Sequence, residues 1–256
     1  MKQQNLFSLH GRIAFITGSS RGLGYEIAQG FGHAGATVII HGRDQESNQA
    51  AVSNLLKQGI SASCVNFDLN DRQACEHAFQ QIKNNYGRLD ILVNNASIRM
   101  RKKLEDLSIY DLEHIINTNL ISTLAISKLA IQLMLPNKYG RIITITSLAG
   151  QLIRLGDFAY PITKQALNTM MKSIAIEYAK DGILSNAIAP GTFATEFNQE
   201  LINNPDNINK MQARNPLLRW GNPSEIVGPA LFLASEASSY VNGQVLTVDG
   251  GFSLSF

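Results

Sequence analysis

The chain has 256 residues, of which 45% are apolar and 16% are charged, and its formal net charge is +2 at pH 7. This composition supports one large buried core and argues against intrinsic disorder. The small charge gives no reason to expect nucleic acid or an acidic membrane as a partner.

Targeting and metal-binding signals are weak throughout the sequence. The N-terminus has no apolar run typical of a signal peptide, and no segment approaches the roughly 20 apolar residues that span a bilayer. Cys64 and Cys75 have no matching Cys/His cluster, which indicates free thiols of a reducing compartment. The five histidines are scattered without ligand spacing. We therefore expect a cytoplasmic protein with no membrane partner and no protein-bound metal.

Short apolar segments alternate with amphipathic helical segments along the whole chain. The pattern predicts strands at 12–17, 36–41, 62–67, 89–94, 140–146, 183–189 and 244–248, and helices at 22–33, 44–58, 71–86, 106–134, 157–180 and 223–234. This alternation predicts an α/β fold, a doubly wound parallel sheet of seven strands with helices on both faces. Without a linker or repeat, we expect one dinucleotide-binding and catalytic domain spanning 1–256. The polar, poorly periodic stretch at about 192–221 suggests a lid over a site.

A glycine-rich turn follows the first predicted strand and opens the first helix. Gly18, Gly22 and Gly24 allow a tight turn, close approach of the backbone to a pyrophosphate, and close packing of helix on strand. The helix N-terminus adds N–H donors and partial positive charge for phosphates. The turn predicts a Rossmann-type dinucleotide site that also includes Ser20, Arg21 and Leu23.

The end of the second strand bears on which dinucleotide is bound. An NAD-specific site would usually place Asp or Glu there to hold the ribose 2′-hydroxyl. This chain has Arg43, with Arg21 in the glycine turn, and guanidinium groups match a 2′-phosphate in charge and in forked donors. We expect NADP(H). Asp44, one residue later, suits a helix N-cap but leaves NAD(H) possible.

Polar residues also follow the later strands, where parallel strands share one edge of the sheet. Asp68 and Leu69 follow the third strand, and Asn95 and Ala96 follow the fourth. These positions suit contacts with a cofactor, although Asp68 is equally at home as a turn residue. Asn119 lies inside a predicted helix, where asparagine is unfavourable. Two interpretations are open: it serves the site, or it faces solvent.

Tyr160 and Lys164 are four residues apart on the predicted 157–180 helix and therefore share one face. A nearby ammonium favours a phenolate and lowers a tyrosine pKa, so the pair can trade a proton near neutral pH. Ser147, at the end of the fifth strand, is placed to hydrogen-bond the same substrate oxygen. The pair alone is common, and a half-buried tyrosine beside a solvated lysine is the simpler interpretation.

Taken together, these residues resemble the short-chain dehydrogenase/reductase family over essentially the whole chain. The likeness rests on the glycine turn, Asn94-Asn95-Ala96, Asn119, Ser147, Tyr160-x-x-x-Lys164, and Pro190-Gly191 with Thr195. The resemblance implies that Tyr160 is the general acid/base, that Lys164 lowers its pKa and binds the nicotinamide ribose, and that Ser147 positions the substrate. It also implies a proton-relay water at Asn119 and cofactor contacts at Pro190, Gly191 and Thr195.

Two positions depart from the family pattern. Ser97 stands where the family usually has glycine, and this could shift the cofactor or narrow the pocket. Pro161 follows Tyr160 directly and fits only if it falls in the first turn of its helix.

Within the family, several stretches resemble the gluconate 5-dehydrogenases, among them 97–101, 191–196 and 219–221. Cations near the expected nicotinamide edge suit a sugar-acid carboxylate. They are Arg99, Arg101, Lys102, Lys103 and Arg154. We take Arg101, Ser147, Arg154 and Tyr160 as the candidate substrate contacts, although the cations can also be solvated surface charges. The sequence at 148–151 departs from that subgroup.

The resemblance predicts an NADP(H)-dependent oxidoreductase that interconverts a secondary alcohol and a ketone, with D-gluconate and 5-keto-D-gluconate as the first substrate pair. One alternative is reduction of a 3-oxoacyl thioester on acyl carrier protein. Another, from a different class, is an NADPH-binding sensor or scaffold without turnover. The resemblance also implies a homotetramer or homodimer built on the helices at 106–134 and 157–180.

Overall fold

The computed structural model describes residues 5–198 and 213–254. Its strands match the predicted ones with ends displaced by a few residues. They are β1 (Ile13–Ile16), β2 (Thr37–Gly42), β3 (Ala62–Asn66), β4 (Ile91–Asn94), β5 (Gly140–Ile145), β6 (Ile183–Pro190) and β7 (Val245–Val248). All pair in parallel, in the order β3-β2-β1-β4-β5-β6-β7. The predicted doubly wound, seven-stranded fold is confirmed.

The strand order reverses direction at β1, which pairs with β2 on one side and with β4 on the other. The connections from β1 and β4 therefore leave on opposite faces and open a crevice beyond the carboxyl ends of these strands. This is where open α/β sheets bind ligands. The glycine turn and the Asn94-Asn95-Ala96 stretch both lie at this crevice.

The helices begin at the predicted residues or up to four residues later. They are α1 (Gly22–His33), α2 (Gln45–Lys57), α3 (Arg72–Tyr86), α4 (Ile109–Ile116), α5 (Ser122–Met134), α6 (Ala159–Tyr178) and α7 (Val227–Ala234). Asp44 accepts a hydrogen bond from the Ser47 N–H at 2.7 Å and so caps α2. Its role as an N-cap is thus observed, which removes the main sequence argument for NAD.

Alternate residues of the central strands point into two separate core layers. Ala14 and Ile16 of β1 pack with α1, α2 and α7, whereas Phe15 packs with α3 and α5 on the other face. Because side chains alternate along a strand, only a strand that is apolar at every position can serve both layers. This requirement explains why the central strands are continuous apolar runs in the sequence.

One predicted helix, 106–134, is divided in the structure. Helix α4 is followed by a wider π-helical turn, Asn117–Ile121, and then by α5. The combined stretch Ile109–Asn137 is long and apolar enough to cross a membrane, which differs from our expectation that no segment approaches that length. Half of its most apolar 18-residue window is buried inside the protein, and core helices pass the same test of length and composition.

The ends of the predicted lid at 192–221 are joined to each other. The Gly221 N–H donates to the Thr192 carbonyl at 3.0 Å, and the Ala194 N–H donates to the Gly221 carbonyl at 2.9 Å. Phe193 and Gly221 form an isolated parallel bridge. Residues 199–212, the middle of the predicted lid, lie outside the described residues.

Candidate active site

The glycine turn forms a closely packed cradle at the start of α1. A Cβ on Gly18 would lie 2.9 Å from the Ala96 Cα, and a Cβ on Gly24 would lie 2.5 Å from the Gly18 carbonyl oxygen. Gly18 and Gly22 have φ of 61° and 60°, which favours glycine. The N-cap residue Arg21 makes no side-chain cap, so the first N–H groups of α1 remain available to a phosphate. The turn therefore fits a pyrophosphate.

Asn95 holds the glycine turn against the end of β4. Its side-chain amide donates to the carbonyl oxygens of Thr17 at 2.9 Å and Gly18 at 2.8 Å. In return, the Thr17 hydroxyl accepts from the Asn95 and Ala96 N–H groups at 3.0 and 3.1 Å. Asn95 thus shapes the cradle. Thr17 was not among the predicted site residues, although it directly precedes Gly18.

His41 was also missed, because a single histidine at a strand end carries no recognised signal. Its Nδ1 accepts from the Gly18 N–H at 3.2 Å, and its Nε2 lies 3.2 Å from the Phe67 carbonyl. Burial lowers the pKa of His41 to about 4, so the ring is neutral at pH 7. A neutral ring that accepts at Nδ1 and donates at Nε2 links the glycine turn to the end of β3.

The residues expected to select the dinucleotide gather at the end of β2. The Arg43 guanidinium lies 3.8 Å from the Asp68 carboxylate, and both side chains are largely exposed. A Cβ at Gly42 would lie 3.3 Å from the Ser20 hydroxyl, so Ser20 faces the same point. Arg21 is exposed beside it. The Arg43 guanidinium and the Ser20 hydroxyl suit a 2′-phosphate. Leu69, after Asp68, is buried.

The remaining predicted cofactor contacts lie at the end of β6. Pro190 is its last residue, and the Gly191 N–H donates to the Val248 carbonyl at 2.9 Å. A Cβ at Gly191 would lie 2.7 Å from the Asp249 Cβ, so this position is crowded. Thr195 is half-buried, and its hydroxyl is 3.5 Å from the Asn198 amide nitrogen.

Three predicted catalytic residues meet where the carboxyl end of β5 faces the start of α6: Ser147, Tyr160 and Lys164. Tyr160 is the second residue of α6 and Pro161 the third, so the proline falls in the first turn, where it is tolerated. Ser147 follows β5, and its hydroxyl accepts from the Ala149 N–H at 3.1 Å. The Lys164 ammonium nitrogen lies 5.4 Å from the centre of the Tyr160 ring and donates to the Ile145 carbonyl at 2.9 Å.

The charge balance around Tyr160 differs from the prediction. Burial raises the pKa of Tyr160, and the opposing effects come from the Arg99 guanidinium and from hydrogen bonds with Ser147 and Ser97. Burial, with a smaller contribution from Arg99, lowers the pKa of Lys164 to about 7. The largest effect that lowers the Tyr160 pKa comes from Arg99, while the lowering by Lys164 that the resemblance implies stays a prediction.

Asn119 lies in the π-helical turn with its side chain fully buried. Its Oδ1 accepts from the Ile98 N–H, and its Nδ2 donates to the Ile98 carbonyl, both at 2.8 Å. Nδ2 also donates to the Thr163 hydroxyl at 3.1 Å. The side chain thus ties the segment after β4 to α6, while the relay water implied by the resemblance stays a prediction.

The candidate substrate cations divide into two groups. Arg101 and Arg154 are exposed, and burial together with Arg99 and Arg154 lowers the pKa of Arg101. These two form no ion pair with a carboxylate in the part of the chain that the structure describes. By contrast, Lys102 pairs with Asp111 at 2.8 Å and Lys103 with Glu105 at 3.3 Å, so each lysine already has a carboxylate partner.

An apolar groove of about 1270 Å³ runs along the loop before α6 and the first turns of that helix. Its lining includes Leu104, Ile153, Phe158 and Ile162. The sequence analysis did not predict this groove, since the apolar residues of the 148–158 loop follow no helical or strand period.

Comparison with known proteins was made against this geometry. A family model described as enoyl-(acyl carrier protein) reductase matches residues 18–253. Gluconate 5-dehydrogenase of Gluconobacter oxydans (strain 621H) is 38% identical over 255 residues and covers 100% of both chains. A 3-oxoacyl-[acyl-carrier-protein] reductase of Aquifex aeolicus (strain VF5) is 36% identical, covering 95% of this chain and 98% of the relative.

A solved structure is similar over the same length. It is a gluconate 5-dehydrogenase from Burkholderia cenocepacia J2315 in complex with NADP and tartrate. The two chains superpose with a TM-score of 0.94 at 35% identity, covering 98% of each. Sheet and helices therefore correspond throughout.

Proposed function

The chain belongs to the short-chain dehydrogenase/reductase family, and from this premise we propose that it is an NADP(H)-dependent oxidoreductase acting on D-gluconate and 5-keto-D-gluconate. The observation that carries the proposal is the meeting of Tyr160, Ser147 and Lys164 at the carboxyl edge of the sheet that also holds the glycine cradle. A phenol, a hydroxyl and an amine at this edge suit proton transfer to or from a substrate oxygen.

In the oxidation, the substrate carbon loses a hydride and its hydroxyl loses a proton. Bound NADP⁺ supplies the hydride acceptor at this site. Ser147 donates a hydrogen bond to the substrate oxygen, and Tyr160 in its phenolate form takes the hydroxyl proton as the carbonyl forms. The Lys164 ammonium lies near the Tyr160 ring, donates to the Ile145 carbonyl and is available to bind a ribose hydroxyl. In the reduction, Tyr160 returns the proton.

The cofactor preference rests on the residues at the end of β2. Arg43 and the Ser20 hydroxyl, both at the end of β2, support 2′-phosphate binding, with Arg21 next to Ser20 in the chain, and Asp44 serves as a helix cap. The Asp68 carboxylate beside Arg43 disfavours a phosphate unless Arg43 turns from it. This exposed pair is weakly held, so such a turn costs little.

A carboxylate-bearing substrate suits the cations near Tyr160. Arg101 and Arg154 lie close together with no carboxylate partner among the described residues, which leaves both free to hold a sugar acid. The tartrate bound by the Burkholderia relative is likewise a hydroxy acid.

We place the enzyme in the cytoplasm as a homotetramer or homodimer.

A second candidate, reduction of a 3-oxoacyl thioester, is favoured by two observations. The apolar groove beside Asp157 and Phe158 offers room for an acyl chain, which a gluconate enzyme does not need. The similarity to the Aquifex aeolicus relative points the same way.

The proposal is tested by assaying the wild-type protein, Tyr160→Phe and Arg101→Met with NADP(H) and NAD(H). The substrates are D-gluconate, an uncharged polyol and a 3-oxoacyl thioester. We expect NADP-dependent oxidation of gluconate, its loss by a factor of about 10³ or more in Tyr160→Phe, and unchanged NADPH binding in that variant. Arg101→Met should raise KM for gluconate and leave KM for the polyol unchanged.

Three results would contradict the proposal. Preferential turnover of the thioester would replace gluconate by the second candidate. A Tyr160→Phe variant with near-normal rate would remove the proton role of Tyr160. NADPH binding without turnover of any substrate would indicate the sensor or scaffold class.

A further inference from the structure

Arg99 and Asp157 form an ion pair directly against Tyr160. The Arg99 guanidinium carbon lies 4.8 Å from the centre of the Tyr160 ring, within the range of a cation–π contact. The same guanidinium bonds the carboxylate of Asp157, whose side chain is 2% exposed. Asp157 lies three residues before Tyr160, in the segment that leads into α6. One ion pair thus joins the segment after β4 to the start of the helix that carries Tyr160.

This pair is not a substrate anchor of the kind formed by Arg101 and Arg154. Arg99 is already paired with a buried carboxylate, and its Nε together with the Asp157 Oδ1 is buried without a further partner in the described structure. A buried carboxylate of this kind requires its cation, since an unpaired buried charge is costly. Asp157 therefore holds the Arg99 guanidinium in place against the face of the Tyr160 ring.

We propose that Arg99 is a positioning residue for Tyr160: anchored by Asp157, its guanidinium covers the phenol ring and supplies the permanent positive charge beside it. The inference rests on the proposed role of Tyr160 in proton transfer. It assigns to a residue outside the helix the electrostatic part that the Tyr160-x-x-x-Lys164 spacing would give to the lysine.

Lys164 cannot fill that part alone in this protein. It is buried, it spends a hydrogen bond on the Ile145 carbonyl, and burial lowers its pKa to about 7. A guanidinium, by contrast, stays charged throughout the range in which proteins are folded. Arg99 is accordingly the dependable cation next to the ring.

The groups that face Tyr160 come from four segments. Arg99 and Ser97 follow β4, Ser147 follows β5, Asp157 precedes α6, and Lys164 lies on α6 itself. Arg99, Ser147 and Ser97 lower the Tyr160 pKa, while burial and Asp157 raise it. Removal of Arg99 alone leaves burial and Asp157 opposed only by the two hydroxyls, so the Tyr160 pKa must rise. Removal of Arg99 and Asp157 together takes away one group of each sign and must raise it less.

The test compares the wild-type protein with Arg99→Met, the double variant Arg99→Met/Asp157→Leu, and Lys103→Met as a control. Lys103 is an exposed cation of the same segment, paired with Glu105. Phenolate formation at Tyr160 is measured by pH-jump ultraviolet difference titration, and its signal is identified by subtracting the trace of Tyr160→Phe. The pH profile of kcat/KM for gluconate oxidation is measured in parallel.

We expect the Tyr160 titration to move upward by about one pH unit or more in Arg99→Met, by less in the double variant, and not at all in Lys103→Met. Below both pKa values, a shift of one unit lowers kcat/KM about tenfold, while the dissociation constant of NADPH stays within about twofold. If Arg99→Met fails to fold because Asp157 is left unpaired, the double variant still carries the test.

An unchanged Tyr160 titration in the folded Arg99 variants would overturn the inference. So would an equal shift in Lys103→Met, since that would reflect overall charge alone. Failure of the proposed function is a separate result. It would appear as near-normal gluconate turnover by Tyr160→Phe, a measurement that does not involve Arg99.

Discussion

Lys164 has the most unusual environment of any lysine in the described structure. Its side chain is buried, and its ammonium nitrogen has one protein acceptor, the Ile145 carbonyl at 2.9 Å. Because the unfolded chain binds a proton at Lys164 up to about pH 10, whereas the folded protein releases it near 7, folding becomes more favourable as pH rises through this interval. The lysine is thus kept at a cost in stability that is greatest below neutral pH.

Lys164→Met should therefore stabilise the protein while removing its activity. We expect the gain in the free energy of unfolding to be larger at pH 6 than at pH 9, by on the order of 2 kcal/mol, because at pH 9 the folded protein already holds the lysine neutral. Denaturant unfolding at the two pH values measures the difference.

Lys172→Met is the matched control, since Lys172 lies on the same helix but is exposed. Its effect should be small and independent of pH. A Lys164→Met gain that is equal at both pH values would show that packing, rather than the buried charge, sets the change.

The sequence predicted which residues meet at this site but not how charge is distributed among them. Tyr160, Lys164 and Ser147 follow from spacing and strand ends. The Arg99–Asp157 pair joins residues 58 positions apart, and the burial that lowers the Lys164 pKa depends on the whole fold around it. Neither effect is visible in local spacing.

At the scale of elements, the contact that shapes the glycine turn is between α1 and the segment after β4. Gly24 of α1 sits so close to Asn95 that a Cβ would lie 2.5 Å from the Asn95 amide nitrogen. The same amide holds the carbonyls of Thr17 and Gly18. Helix α1 can thus lie this close to the sheet only because residue 24 is a glycine, which has no Cβ.

Gly24→Ala should push α1 away from the turn and distort the cradle. We expect at least a tenfold weaker affinity for NADPH and a loss of about 1–3 kcal/mol in stability, typical of overpacking. Isothermal titration and thermal unfolding measure the two effects.

Gly228→Ala serves as the comparison, since Gly228 lies in α7 with nothing within 4 Å of the added carbon. It should leave NADPH affinity unchanged and change stability by no more than about 1 kcal/mol, since Gly228 precedes Pro229. If the two variants lost affinity equally, the close approach at Gly24 would not be what shapes the cradle.

The helix ends were predictable because they depend on local capping. Helix α1 has the predicted bounds, and Asp44 and Asp71 cap α2 and α3 through the Ser47 and Ala74 N–H groups. The division of the predicted 106–134 helix was not predictable. A π-helical turn keeps the apolar pattern nearly intact, and its purpose, to aim Asn119 at Ile98, involves a distant segment.

For the whole molecule, the exposed apolar residues suggest where copies associate. Leu124 on α5 and Ile176 on α6 are 47% and 83% exposed. Side chains of this kind on two adjacent helices suit an interface between protomers. The expected homotetramer or homodimer would bury them.

Ile176→Glu should lower the mass of the assembly in solution, because a carboxylate would be buried against an apolar partner surface. Leu56→Glu on α2, where Leu56 is 54% exposed, is the control and should leave the mass unchanged. Size-exclusion chromatography with light scattering measures both. An Ile176→Glu protein with the wild-type mass would show that α6 is not at the interface.

The bridge between Phe193 and Gly221 has an evolutionary consequence. Because this bridge holds Phe193 beside Gly221, a change in the length of the chain between these two positions need not move β6 or α7. Doubling the number of residues in a flexible segment whose ends are held together costs only about 0.6 kcal/mol in closure entropy. Evolution can therefore change the length of this segment at a small cost, while the glycine turn and the residues around Tyr160, which lie outside it, stay as they are.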